Sequence, residues 1–292
     1  MNAVLQMIHS VDLHIYYFLT RFAGNWLFDH FAAFEENNNL LKGALLLSLY
    51  WYLWFRIGPA QERQRRTIIN IMVGTFFGLA ICRMIADLAP FRVRPMYDPS
   101  VLHPTYGFLI SRNMENWSAF PSDTAAYFCA LAFGLAYLER RLAIPAFLYT
   151  AVWICVPRMY LGMHYSSDII VGAAIGFAAV WVSLKLKWLE SRFTRRVLAW
   201  ADAAPQFFYA AAFLLTFECA TLFDDIRYAA RGVLGVARYA HFHHEPARSG
   251  VYLFMLLCLV AITGNVIFFW AGKRRQRALR AGVVKGSGMY GD

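Results

Sequence analysis

Long apolar runs separated by short basic connectors set the organisation of this chain. Blocks at roughly 40–58, 67–86, 121–138, 142–161, 166–184, 206–223 and 250–271 are each long enough to cross a bilayer as a helix. The first 25 residues differ, because His9, Asp12, His14 and Arg21 interrupt them. That pattern lacks the apolar core of a signal peptide and predicts an amphipathic helix lying in the membrane interface, with Trp26 and Phe28 as anchors. The expected fold is an all-α, multi-pass transmembrane helical bundle. An interfacial segment over 1–25 precedes a core of about five spans over 26–184. A polar cytoplasmic linker over 185–205, a two-span appendage over 206–272 and a basic tail over 273–292 follow.

The basic residues orient these spans. Arg56, Arg63, Arg65 and Arg66 follow the first span, Arg140 and Arg141 the third, and Lys185, Lys187, Arg192, Arg195 and Arg196 the fifth. Lys273, Arg274, Arg275, Arg277 and Arg280 follow the seventh. All four clusters fall on one side, which the positive-inside rule makes cytoplasmic. The expected location is the cell (inner) membrane, with the C-terminus cytoplasmic and the loops at about 87–120, 162–165 and 224–249 facing outward.

Composition agrees. The chain is 59% hydrophobic and only 16% charged, more apolar surface than one soluble core of 292 residues could hide. The formal charge of +10 comes from the connector clusters, so it speaks for membrane orientation rather than for nucleic acid. Cys82, Cys129, Cys155, Cys219 and Cys258 lie far apart in apolar blocks, without metal spacing, and read as packing residues.

Charged groups within or beside membrane spans need a reason. Arg83, Asp87, Arg92, Arg94, Ser122, Asp123, Arg158, His164 and Asp168 all fall at the outward ends of spans two to five. Guanidinium groups bind phosphate oxygens bidentately. The start of the third span, at Ser122 and Asp123, adds free N–H groups and a favourable dipole. His164 and Asp168, four apart, share a face if both are helical. A carboxylate on one imidazole nitrogen would leave the other free to attack, and Arg158 could hold the oxygens of the group attacked. Arg83 and Arg92 either join this site or snorkel to the interface, and Asp87 pairs with Arg83 one turn away.

Arg94-Pro95, Phe120-Pro121-Ser122-Asp123 and the Arg158, His164, Asp168 set resemble, in order and spacing, the three signatures of the type-2 phosphatidic acid phosphatase family. That family is a branch of the acid phosphatase/vanadium haloperoxidase superfamily, and the resemblance covers about residues 25–184. It implies a helical core with a site at the outer face, acting on lipid phosphates without a metal or other cofactor. His164 would then be the nucleophile that becomes phosphohistidine and Asp168 its orienting partner. Arg94 and Arg158 would bind phosphoryl oxygens, with Ser122, Asp123 and Arg83 completing the cradle. Two positions depart from the pattern. Asp87 stands where the first signature begins with a basic residue, and Thr124 stands where the second ends in the histidine that serves as general acid.

A threonine hydroxyl is no acid near neutral pH, and general acid help is worth about 10²–10⁴-fold. The loss is smaller for a diphosphate, whose phosphate leaving group is already a weak base. The expected activity is therefore release of phosphate from a lipid diphosphate, with isoprenoid diphosphates as the substrate class. A phosphotransferase using the same intermediate, and a catalytically impaired relative that binds or transports lipid phosphates, are the alternatives. His103 and the cluster His241, His243, His244 and Glu245 could supply a substitute proton donor, although a solvated loop explains the cluster and it fits no closed zinc pattern. Gly172 and Gly176 form a small-xxx-small pair that predicts close helix packing in span five.

Overall fold

The computed structural model describes residues 3–102, 104, 114–223, 226 and 229. Among these residues the regular structure is entirely helical. In chain order the α-helices are α1 (Ala3–Thr20), α2 (Trp26–Asn37), α3 (Leu45–Phe55), α4 (Gln61–Leu88), α5 (Asp123–Leu138), α6 (Arg140–Tyr149), α7 (Val156–Tyr160), α8 (Ser166–Lys185), α9 (Thr194–Ala203) and α10 (Pro205–Ala220). Wider π turns at Leu40–Ala44, Thr150–Cys155 and Leu189–Phe193 lead into α3, α7 and α9, so 140–160 runs as one continuous helical rod. Residues 1–224 form one compact unit. The expected span over 250–271, the basic tail, His103 and the 241–245 cluster lie outside the described residues.

The core is a bundle of α4, α5 and α8. Helix α5 is its axis: Thr124 through Ala132 are all buried, the pattern of a helix that is apolar on every side. Small residues let the backbones close on it. A methyl group at position 172 would run into the Ser122 carbonyl, and one at 176 into the Ala126 carbonyl, so both glycines of the expected pair set the α5–α8 distance. Gly172→Ala is therefore expected to cost roughly 1–3 kcal/mol. A lowered melting temperature of the detergent-solubilised protein reads this; an unchanged one would contradict the contact.

Among the described residues, three helical segments are long and apolar enough to span a membrane: Gln61–Leu88, Arg140–Tyr160 and Ser166–Lys185. The expected first and third spans are shorter, covering Leu40–Phe55 and Asp123–Leu138. At about 1.5 Å per residue neither reaches the ~30 Å of a hydrocarbon core unaided. Helix α5 is short because its N-terminus stops at a polar turn that belongs to the candidate site, rather than continuing to an interface.

The stretch read as a polar linker over 185–205 is helical instead. Its basic residues Arg192, Arg195 and Arg196 are exposed, while Leu189, Thr194, Leu198 and Ala201 are buried, so charge clustering concealed an amphipathic helix that packs on α4. Helix α1, expected to rest in the interface, docks on α7 and α8 through buried Asp12 and Tyr16.

The end of α4, the start of α5, the end of α7 and the start of α8 meet at one end of the bundle. The basic connectors following α3, α5 and α8 belong to the opposite helix ends.

Candidate functional site

The turn carrying the histidine is built by a helix ending. Helix α7 stops in a Schellman motif: Met163 N donates to the Arg158 carbonyl (2.9 Å) and Gly162 N to the Met159 carbonyl (3.0 Å). Gly162 sits at φ +72°, a left-handed conformation that favours glycine. The motif brings the chain back on itself, which is why an arginine and a histidine six residues apart share one pocket. The Gly162 carbonyl in turn accepts from Met96 N (2.9 Å), tying this turn to the Arg94-Pro95 segment.

Arg94 and His164 are in contact. Arg94 Nη1 lies 3.3 Å from His164 Nε2 and donates to the Met163 carbonyl at 2.7 Å. Its Nε and Nη2 donate to the carbonyls of Trp117 and Ser118. On the other side of the ring, His164 Nδ1 is 2.8 Å from the Ala119 carbonyl. A carbonyl only accepts and a guanidinium only donates. The proton must therefore sit on Nδ1, leaving the lone pair on Nε2, the nitrogen that faces the arginine. The ring is 1% exposed, and burial together with the nearby positive charges of Arg94 and Arg158 holds its pKa well below the usual imidazole range. Burial and Arg158 pull Arg94 down to about 10, which leaves it protonated at neutral pH.

Asp168 does not make the expected bond to the imidazole. Its Oδ2 is 3.9 Å from His164 Nδ1, because His164 lies in the turn and not on α8, so the pair does not share a helical face. The carboxylate instead caps its own helix, with Oδ2 accepting from Tyr165 N (2.8 Å), while Oδ1 takes Arg92 Nη1 at 2.5 Å. The Ala119 carbonyl takes the place expected for it at the ring.

The other arginines are already paired. Arg83 forms an ion pair with Asp123, across to α5 rather than along its own helix to Asp87. Arg158 Nη1 binds Glu36 Oε2 at 2.6 Å, and Lys42 Nζ lies 3.4 Å from Glu36 Oε1. The Nε hydrogen of Arg158 has no hydrogen-bond partner among the described residues. Arg92, left open between the site and the interface, bridges Asp12 and Asp168 with its aliphatic-to-cationic end over the Tyr165 ring at 4.4 Å. Arg94 is thus the arginine here that makes no ion pair among the described residues, its partners being carbonyls and the imidazole. Next to Glu36, the Glu35 carboxyl is pushed up to about 8 by burial and by its neighbour, so it is largely neutral at pH 7.

The start of α5 is also spoken for. Ser122 Oγ accepts from Ala125 N (3.3 Å) and Asp123 Oδ1 from Thr124 N (2.7 Å), while Ser122 N donates to the Asp168 carbonyl (3.1 Å). The Asp123 carboxylate also lies within electrostatic reach of Arg158, His164 and Arg94. The position expected to welcome an anion therefore already carries one. Thr124 is buried, and its hydroxyl is 3.4 Å from Asp123 Oδ1.

Asp12 and Glu36 were not legible as site residues from motif spacing. The available signal was their cost: acidic side chains in the aromatic-rich N-terminal segments of a membrane protein.

The family model described as PAP2 superfamily matches residues 67–192, which include every expected site residue from Arg83 to Asp168 but neither Asp12 nor Glu36. Two similar solved structures are those of Aquifex aeolicus LpxE and of a transmembrane PAP2-type phosphatidylglycerolphosphate phosphatase from Bacillus subtilis. The first is 26% identical with a TM-score of 0.41, covering 59% of this chain and 94% of that one. The second is 18% identical with a TM-score of 0.42, covering 66% and 90%. No curated protein matches the chain.

Proposed function

Residues 67–192 are a PAP2-superfamily segment, and on that premise we propose that the chain removes phosphate from a lipid diphosphate, of isoprenoid class, through a phosphohistidine at His164. The observation that carries this is the contact of Arg94 Nη1 with a neutral imidazole whose lone pair is on Nε2. A terminal phosphoryl group entering between them would put its oxygens on Arg94 and on the open Nε of Arg158, with phosphorus in front of Nε2. The lone pair then forms the N–P bond as the bridging P–O bond breaks, and the lipid leaves as its monophosphate. Water attacks phosphorus in the second step, the N–P bond breaks, and inorganic phosphate departs with the imidazole neutral again. No proton donor at position 124 is needed for the first step, because the leaving phosphate is a weak base.

Positive-inside orientation supports a site on the non-cytoplasmic side of the cell membrane, with the C-terminus cytoplasmic. By the same reading, 26–184 is the phosphatase core, flanked by the 1–25 segment, the 185–205 connector, the 206–272 appendage and the 273–292 tail. A second reading, a lipid-phosphate binder without turnover, draws on one observation: Asp123 and Glu36 already offset Arg83 and Arg158. Transfer of the phosphoryl group to an acceptor other than water is a variant of the first.

Rapid quenching with an isoprenoid diphosphate labelled in its terminal phosphate distinguishes these. The expected result is an acid-labile phosphoenzyme and a kcat/KM exceeding that for the corresponding monophosphate by about 10²-fold or more. Thr124→His should narrow this ratio by raising the monophosphate rate. No labelled enzyme and no phosphate release would favour the binder; equal rates on both lipids would overturn the leaving-group assignment.

A further inference from the structure

We propose that Asp12, on the N-terminal helix, is a positioning residue that holds the histidine turn and the start of α8 in their working arrangement. The inference rests on the catalytic reading above for its kinetic consequence, not for its structural one. Asp12 is 1% exposed, although it sits in a segment whose sequence resembles an interfacial helix. Both of its oxygens are committed to the site end of α8. Oδ1 accepts from Ser166 Oγ (2.6 Å) and from Ser167 N (2.8 Å); Oδ2 accepts from Ser167 Oγ (2.6 Å) and from Arg92 Nη2 (2.7 Å). A helix N-terminus presents unsatisfied N–H groups and partial positive charge. Here the anion that answers them is delivered by a different helix.

The same guanidinium continues the chain inward. Arg92 Nη1 donates to Ser167 Oγ (2.8 Å) and to Asp168 Oδ1 (2.5 Å), so Arg92 is gripped by two carboxylates, one from α1 and one from α8. Asp168 passes the constraint on in two directions. Its Oδ2 holds the backbone N–H of Tyr165, the neighbour of His164, and its carbonyl holds Ser122 N at the cap of α5. Asp12 touches neither His164 nor the expected phosphate position, yet both turns that form the site are fastened to the piece of α8 that it caps. Its carboxylate also keeps the positive charge of Arg92 at the α1–α8 junction and away from the Arg94–His164 pair.

Removing that grip would loosen geometry rather than delete a substrate contact, and a misplacement of about 1 Å at a reacting pair costs on the order of 10²-fold. The test compares wild type, Asp12→Ala and the near-isosteric Asp12→Asn as full chains in detergent or nanodiscs. It measures kcat and KM on a lipid diphosphate and amide hydrogen exchange over residues 163–170. The expected outcome is a fall in kcat of about 10²-fold for Asp12→Ala and a smaller one for Asp12→Asn. KM should stay within about two-fold, with faster exchange in 163–170 but not along the middle of α5. In a double-mutant cycle, Asp12→Ala and Arg92→Ala should be strongly non-additive in kcat. If Asp12→Ala fails to fold, Asp12→Asn carries the comparison. Unchanged kcat and exchange in Asp12→Asn would overturn the proposal, as would kcat falling only in proportion to a general loss of folded protein. If wild type itself releases no phosphate, the catalytic reading fails, and exchange over 163–170 alone decides whether Asp12 fastens the turn.

Discussion

Replacing His164 with alanine is expected to abolish phosphate release, by on the order of 10⁴-fold or more, with the folded protein retained. The size of the effect follows from position. The imidazole is the buried group whose lone pair points at an arginine, and its proton is committed to the Ala119 carbonyl. The carboxylates of Asp123, Asp168 and Glu36 are tied up by Arg83, Arg92 and Arg158, so none of these three stands ready to attack phosphorus in its place. The variant must also lose the acid-labile phosphoenzyme, which separates loss of the nucleophile from loss of binding. Residual release within ten-fold of wild type would remove His164 from the reaction and with it the phosphohistidine.

Arg94→Ala is expected to lower kcat/KM by about 10²–10³-fold, the range for deleting one preorganised donor to a developing anion. Its charge is not offset by a carboxylate contact among the described residues, whereas Arg83 and Arg158 are each held by one. A phosphoryl group entering the pocket therefore gains most from Arg94. Arg94→Lys should recover little, because an ammonium cannot hold the carbonyls of Trp117, Ser118 and Met163 together while also facing the imidazole. Arg83→Ala should cost clearly less, since that guanidinium is neutralised by Asp123. Steady-state kinetics on all three variants checks the order; equal losses for Arg83→Ala and Arg94→Ala would show that the ion pairs do not ration the charge available to substrate.

Thr124 and Asp123 shape the site jointly. The threonine offers no titrating donor, and the aspartate beside it places a fixed anion, paired with Arg83, at the helix start. Both features disfavour a reaction that needs a strongly bound dianion and a protonated leaving group. On the proposed reading, a diphosphate tolerates the missing donor because its departing half needs no proton, whereas the fixed anion opposes mono- and diphosphate alike.

Periodicity and charge placement alone were enough to read the described residues as all-helical with apolar spans, and the motif residues Arg94, Ser122, Arg158 and His164 lie at one end of the bundle. Those features are local: runs of apolar side chains, a Ser N-cap, a glycine that ends α7, and an arginine and histidine joined by a single turn. Partner choice was not legible. Asp168 at i+4 from His164 suggested a bond, but the helix begins after the histidine, so the capping requirement of α8 claims the carboxylate. The 185–205 segment read as a linker because clustered arginines mask a buried stripe that only α4 reveals. Which carboxylate neutralises which arginine depends on contacts between residues distant in sequence, such as Arg83 with Asp123, Arg92 with Asp12 (80 positions apart) and Arg158 with Glu36 (122 positions apart). Buried charge must be compensated wherever the packed helices happen to bring an opposite charge within reach. That is a property of three-dimensional packing, to which spacing along the chain is blind.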